Sequence, residues 1–143
     1  MSANWLPWAL ASAIFAGLTA VLAKIGVDGI HSHLATAVRT AVVLVFTWAI
    51  AAAVVPLSSL ATVPRRTWFF LAASGVATGL SWLCYFRALQ LGEASRVAPV
   101  DKLSVVFAIA LAALFLRERL TWQHGLGGAL IVAGALVLAW KPA

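Results

Sequence analysis

Four charged side chains fall inside stretches that are otherwise apolar: Lys24, Arg39, Asp101 and Lys102. A charge inside a membrane span costs a few kcal/mol or more, so such residues are rare and usually mark a pathway for a substrate or an ion. We therefore predict that these four bind substrate or couple its movement to protons, with ion pairs acting as a gate. The alternative is a structural cluster of ion pairs that holds the helices together.

The sequence alone does not determine which groups these four charged side chains pair with. Lys24 and Arg39 lie near helix ends, where a long side chain can reach the membrane surface. Asp101 and Lys102 are neighbours, about 100° apart on a helix, and need not pair with each other. Asp101 could instead pair with Lys24 or Arg39, which would leave Lys102 free for an anionic group. Arg39 also shares a helix face with three threonines: Thr36, Thr40 and Thr47.

A polar stripe runs along the third apolar stretch. Its members follow the spacing i, i+4, i+7 and i+11, which is one helix face: Ser74, Thr78, Ser81 and Tyr85. Trp82 lies beside them in mid-span. The stripe predicts a substrate-binding cavity for an amphipathic metabolite. Alternatively, the hydroxyls form hydrogen bonds between helices, each contributing under about 1 kcal/mol.

Proline and glycine mark two other places. Pro99 lies just before the charged pair, where a proline frees a backbone carbonyl and bends a membrane helix, although it would also suit a helix's first turn. Gly127 and Gly134 are seven residues apart and face one way. Small residues allow close helix approach, so these two predict packing, in our interpretation between subunits.

We find no pattern typical of an enzyme: no nucleophile with a nearby base and no glycine loop for phosphate. His31 and His33, two apart in a loop, are a weak metal signal, and Cys84 suits a packing role in an apolar helix. We therefore expect no catalytic residues, no metal and no cofactor.

The composition identifies the solvent of this chain as lipid. Of its 143 residues, 64% are hydrophobic and 10% charged, whereas soluble domains carry about 25% charged residues. A spanning helix needs ~20 apolar residues, and five such stretches lie at about 4–25, 34–55, 67–89, 97–116 and 121–140, with a loop from Leu57 to Arg66. We predict an all-α, polytopic membrane protein that forms a single five-helix domain over residues 1–143.

The tryptophans support five spans, because this side chain favours the membrane surface. With five antiparallel helices, four tryptophans at helix starts fall on one side: Trp5, Trp8, Trp68 and Trp122. Trp140 closes the fifth helix on the other side.

The net charge of +6 does not indicate nucleic-acid binding, because the basic residues lie at helix ends and inside helices rather than in a solvated patch. Membrane lipid is the expected partner. The N-terminal side holds Arg65, Arg66, Arg117 and Arg119. The opposite side holds Arg87, Arg96 and Lys141, with Lys24 and Arg39 if these reach the surface. Because the positive charges are divided almost evenly between the two sides, they set no single orientation. It allows an N-terminus inside, or dual topology with copies inserted both ways, which we favour.

Several segments resemble the EamA domain of the drug/metabolite transporter superfamily. They are Tyr85–Leu89, Val97–Pro99, Leu116–Thr121 and Gly127–Ile131 with Gly134, and the stretch Ala98–Ser104 looks like that of short, single-domain members. The resemblance covers nearly the whole chain. It implies a five-helix transmembrane unit, in the cytoplasmic membrane of a bacterium or archaeon, that moves small metabolites or drugs.

Most relatives implied by this resemblance carry two such units, inverted relative to each other. A single unit therefore predicts a half-transporter that works as an inverted homodimer by alternating access, around a cavity formed by helices one, three and four. A related branch binds cations through a glutamate in helix one, but this chain has no acid before Asp28. Its intramembrane cations favour anionic or zwitterionic cargo. The alternative function is a non-transporting scaffold or lipid-binding subunit.

Overall fold

A computed structural model describes residues 5–140, and all regular structure among them is helical. The helices are α1 (Leu6–Gly26), α2 (Ser32–Val54), α3 (Arg65–Leu91), α4 (Ala94–Asp101), α5 (Ser104–Phe115) and α6 (Trp122–Ala139), with a 3₁₀ helix at Leu57–Thr62. Because α4 and α5 together form one span, five stretches are long and apolar enough to cross a membrane. The predicted all-α, five-span membrane fold is confirmed. The predicted start of the first helix at residue 4, and Lys141, lie outside the described residues.

Local sequence explains where most helices start and stop. After α1, Gly29 has a φ of 75°, a left-handed conformation that glycine adopts without steric cost. The backbone N–H of His33 donates to Nδ1 of His31, which caps the start of α2. At its other end α2 stops at Val54, just before Pro56, which has no N–H to continue the helix.

The connection between α2 and α3 differs from the prediction. The sequence predicted a loop from Leu57 to Arg66, but Leu57–Thr62 forms a 3₁₀ helix, and α3 already begins at Arg65. Pro64 immediately precedes α3, a position near a helix start where proline is well tolerated. The third span is thus longer than predicted at both ends.

The sixth helix has a complete N-terminal cap. The backbone N–H of Thr121 donates to Nδ1 of His124 at 3.0 Å, and the Thr121 hydroxyl lies 2.8 Å from the same nitrogen. Together with the bond from the His124 backbone to Thr121 this forms a capping box, a reciprocal arrangement that satisfies backbone donors at a helix start.

The described chain divides into two compact units. The α2–α3 unit runs from Gly26 to Gln90, and the α1/α4–α6 unit combines the chain up to Ile25 with the chain from Leu91 onward. In the second of these, both α4 and α5 pack against α6. The side chains of the spans are mostly exposed, as in helices solvated by lipid, and four of the few buried residues are alanines: Ala20, Ala23, Ala35 and Ala135.

Candidate functional site

Arg39 is the central feature of the α2–α3 unit. It lies in the second turn of α2, half-buried, and its guanidinium carbon is 4.1 Å from the ring centroid of Trp82 and 5.7 Å from that of Phe86. Trp82 and Phe86 are four residues apart and therefore share one face of α3. A cation held over aromatic rings in this way is stabilised by up to about 2 kcal/mol when water is excluded.

The charge of Arg39 is not neutralised by a carboxylate. Among residues 5–140 the ion pairs are Arg96 with Glu93 and Lys102 with Asp101, and Arg39 is in neither. The only acid of the α2–α3 unit is Asp28, in the turn before α2. A guanidinium carries five N–H donors, which can bond to an anion while its carbon lies over the rings. The α2–α3 unit can therefore accept a negatively charged group at Arg39.

Threonines near this arginine bond to their own helix. The hydroxyls of Thr36 and Thr40 donate to the carbonyls of Ser32 and Thr36, at 2.9 and 2.7 Å. Thr47 does the same with Val43 at 2.8 Å. Such bonds satisfy the hydroxyl donor within the helix and leave the oxygen free to accept.

The predicted polar stripe of α3 lies in the same unit as Arg39. Thr78 donates to the carbonyl of Ser74 at 2.9 Å, so its donor is used within α3 rather than across helices. Ser74, Thr78 and Ser81 are exposed, and Tyr85 is half-buried with its ring 6.5 Å from that of Phe86. The role of the stripe as a cavity lining stays a prediction.

In the α1/α4–α6 unit, Lys24 donates from Nζ to the carbonyl oxygen of Gly92 at 2.8 Å. Gly92 directly follows the last residue of α3. A cation at the end of a helix satisfies a carbonyl that has no intrahelical partner and interacts favourably with the helix dipole. Lys24 thus does more than reach the membrane surface, since it links two points 68 residues apart in the chain.

The charged pair of the fourth span lies where that helix is broken. Nζ of Lys102 is 3.4 Å from Oδ2 of Asp101. The two neighbours therefore pair with each other, a point that the sequence left open, and Lys102 is not free for an anionic group as the sequence suggested. The sequence predicted one helix here, but α4 ends at Asp101 and α5 begins at Ser104.

Backbone hydrogen bonds show how the break is built. The N–H groups of Lys102 and Leu103 donate three residues back, to Pro99 at 3.1 Å and Val100 at 3.0 Å. This is the tighter 3₁₀ pattern, which often marks a hinge in the middle of a helix. Pro99 lies inside α4 and cannot donate a helical bond. The structure places the interruption of the helix at Lys102 and Leu103, three residues after Pro99, whereas a proline disturbs the turn that precedes it.

Other candidates have structural explanations. His31 caps α2, and its ring contacts that of His33 edge to face at 4.9 Å. Residues 5–140 contain no group of three metal-ligating side chains placed to hold an ion. Cys84 is exposed on α3. Gly127 is partly exposed and Gly134 fully so, and a β-carbon at either would meet nothing within 4 Å. Their predicted packing role between subunits remains a prediction.

Sequence reasoning selected Arg39 and Trp82 separately but missed that they stack, and it missed Phe86. The sequence signal that could have predicted this contact is an arginine in one helix together with two aromatic residues, four apart, in the next helix. It also missed the carbonyl of Gly92 as the partner of Lys24, because a backbone acceptor leaves no mark on residue type.

Comparison with known proteins gives a consistent result. The EamA-like transporter family matches residues 3–140. An uncharacterized transporter from the cobO 3′ region of Sinorhizobium sp. is 55% identical over 139 residues, which cover 97% of this chain and 99% of that protein. The probable 4-amino-4-deoxy-L-arabinose-phosphoundecaprenol flippase subunit ArnE of Yersinia pseudotuberculosis is 35% identical over 71 residues, 50% of this chain and 62% of that one. No solved structure matches.

Proposed function

This chain belongs to the EamA-like transporter family and is a multi-pass membrane transporter, and we propose that it moves anionic or zwitterionic metabolites as one half of an antiparallel homodimer. The family match crosses both compact units, which supports treating the chain as a single five-helix domain. The finer parts of this proposal are the cargo, the site, the assembly and the transport cycle.

The observation that carries the cargo class is the stacked Arg39. A guanidinium without a carboxylate partner is costly inside a membrane span, and such residues usually mark functional sites. Its position over Trp82 and Phe86 presents a cation beside an aromatic surface, which suits a cargo with an anionic group and an apolar part. Ser74, Thr78, Ser81 and Tyr85 of α3 would add hydroxyl contacts.

The ArnE name is consistent with this cargo class. It states an amino sugar joined through phosphate to a lipid, so that molecule contains an amine and a phosphate. It also states that ArnE is a subunit, as a half-transporter must be. The match covers only part of ArnE. For this chain we therefore propose a cargo with the same kinds of charged group and not the same molecule.

For the transport cycle we propose that the broken fourth span is the moving element. Asp101 and Lys102 are paired at the break, and Asp101 is the only acid within any of the five spans. An unwound segment beside charged residues at the repeat interface is a common way for transporters to bind cargo and ions. Arrival of an anion at Lys102 would break the pair and allow the two half-helices to move.

The experiment that tests the cargo class uses Arg39→Gln, which keeps polarity but removes charge. Thermal stabilisation of the purified protein is first measured with sugar phosphates, amino acids and lipophilic cations, and the best stabilisers are then assayed for uptake into proteoliposomes. We expect phosphate- or carboxylate-bearing compounds to stabilise the parent. Arg39→Gln should weaken their binding about tenfold or more, since a hydrogen bond to a charged group contributes about 1.5–3 kcal/mol.

Arg66→Gln is the matched control, because Arg66 also lies over an aromatic ring of the same unit, Phe70 at 5.8 Å, yet is outside the proposed site. It should bind like the parent. Transport of lipophilic cations with no effect of Arg39→Gln would contradict the proposed cargo class.

A further inference from the structure

An apolar groove of about 350 Å³ lies between α5 and α6. Val106 and Ile109 of α5 form one wall, and Gly125 and Gly128 of α6 form the other. Gly128 is buried, and a β-carbon added to Gly128 would stand 3.9 Å from Cγ2 of Val106. The backbone of α6 therefore forms its wall of the groove. Of the side chains that line the groove, only His124 is polar.

Gly127 and Gly134 are not part of this groove. Residues at positions 124, 125, 128, 129 and 132 line it, and that spacing of one, four, five and eight residues marks a single helix face. Gly127 and Gly134 fall roughly on the opposite face of α6. The groove is therefore separate from the face of α6 that carries Gly127 and Gly134, for which subunit packing is predicted.

The turn at one end of the groove holds two arginines and one glutamate, a net charge of +1. Leu120 lines the groove and belongs to the turn between α5 and α6, which also contains Arg117 and Arg119. Both arginines are exposed, and neither forms an ion pair with any residue between Trp5 and Trp140. Trp122, at the start of α6 and 73% exposed, places this turn at the membrane surface, where lipid phosphates lie.

Arg117 occupies a position that would suit glycine better. Its φ is 56°, in the left-handed region that is unfavourable for residues with a β-carbon. The N–H of Glu118 donates to the carbonyl of Ala112, six residues back, at 3.3 Å, at a helix end where the left-handed position usually has glycine. The chain keeps a cation here in spite of the backbone cost, which is typical of functional positions.

We infer that the groove binds an anionic phospholipid of the surrounding bilayer. One acyl chain lies between α5 and α6, and the phosphate lies against Arg117 and Arg119. The apolar lining matches the chain and the two arginines match the headgroup, so the charge complementarity selects an anionic lipid over a zwitterionic one. This site is separate from Arg39 and does not depend on the cargo.

The test is native mass spectrometry of the detergent-purified protein with phosphatidylglycerol and phosphatidylcholine of identical acyl chains. We expect phosphatidylglycerol to bind about tenfold more tightly or better, because each basic residue near an anionic headgroup contributes roughly a fivefold gain. The double variant Arg117→Gly with Arg119→Gln should reduce phosphatidylglycerol binding to the level of phosphatidylcholine. The matched control is Arg65→Gln with Arg66→Gln. It removes a different arginine pair, which is not in the turn beside the groove, and this variant should bind both lipids like the parent.

Two further readouts separate lipid binding from a structural role. Arg117→Gly alone should leave the melting temperature unchanged or raise it, since it relieves the left-handed backbone, while it weakens phosphatidylglycerol binding. Gly125→Leu and Ala110→Leu fill the groove from opposite walls and should lower binding of both lipids, so either one is sufficient if the other does not fold.

Equal binding of the two lipids by the parent would overturn the inference, as would equal losses in the Arg117/Arg119 and Arg65/Arg66 double variants. A groove-filling variant that changes a dimer into a monomer while lipid binding persists would also overturn it, because the groove would then hold a second copy of the chain.

Discussion

At the scale of single residues, the intramembrane cations of this transporter are satisfied in different ways. Arg39 stacks on aromatic rings, Lys24 bonds to a backbone carbonyl, and Lys102 pairs with the adjacent carboxylate. Of these three partners only the carboxylate is an anion. The ring faces stabilise the guanidinium of Arg39 without neutralising it, so its positive charge remains available for cargo.

Trp82→Leu tests the stacking at this scale. Leucine keeps an apolar side chain but has no π face, so we expect the free energy of unfolding to fall by about 0.5–2 kcal/mol and anion binding to weaken as Arg39 loses its fixed position. Thermal unfolding and anion-dependent stabilisation measure the two effects. Trp48→Leu is the control, since Trp48 is a tryptophan of α2 in the same unit that is 46% exposed and takes part in none of the cation–π contacts within residues 5–140. Equal losses of anion binding in both variants would argue against a special role for Trp82.

At the scale of elements, the fourth span differs most from a regular membrane helix. Its two halves, Ala94–Asp101 and Ser104–Phe115, are joined by a 3₁₀ turn that carries the Asp101–Lys102 pair. A proline inside a helix removes one hydrogen bond and crowds the preceding turn, at a cost of about 3 kcal/mol. Where such a cost is kept, a mechanical role such as a hinge is a reasonable expectation.

Pro99→Ala tests that role. Alanine restores the N–H and favours a continuous helix, so we expect a rise in stability of up to about 3 kcal/mol together with transport at least about fivefold slower. Thermal unfolding and initial uptake rates give the two values. Pro64→Ala, which alters a proline outside the helices, should leave uptake unchanged. Undiminished uptake by Pro99→Ala would mean that the break is not the moving element.

At the scale of the whole molecule, a five-span chain places its termini on opposite sides of the membrane. An inverted pair of units can then arise from two copies inserted in opposite directions, provided that the charge balance allows it. Arg65, Arg66, Arg117 and Arg119 lie near one set of span ends, and Arg87 and Arg96 near the other.

Reporter fusions at the C-terminus test the orientation. We expect both a reporter active only in the cytoplasm and one active only outside it to give signal, since dual topology places the C-terminus on both sides. Adding two lysines next to Trp140 should shift the population toward one orientation and reduce transport. A single orientation in the parent would show that the partner unit, if there is one, is a different chain.

The membrane class, the five spans, the family and the residues that place charge inside the spans were all predictable from the sequence. These features are local: apolar stretch length, proline and glycine stops, and residue type can be read without knowing which helices touch. The helix ends were off by a few residues where caps decide them, as at His31 and at Pro64 before α3.

The contacts that each charge makes could not be predicted from the sequence and are seen in the folded chain. The stack of Arg39 on Trp82 and the bond from Lys24 to Gly92 join residues 43 and 68 positions apart, and such contacts depend on the rotation and register of whole helices. The position of the helix break at Lys102 and the groove between α5 and α6 were likewise not predictable, because a proline or a glycine permits a bend or a close approach without requiring it.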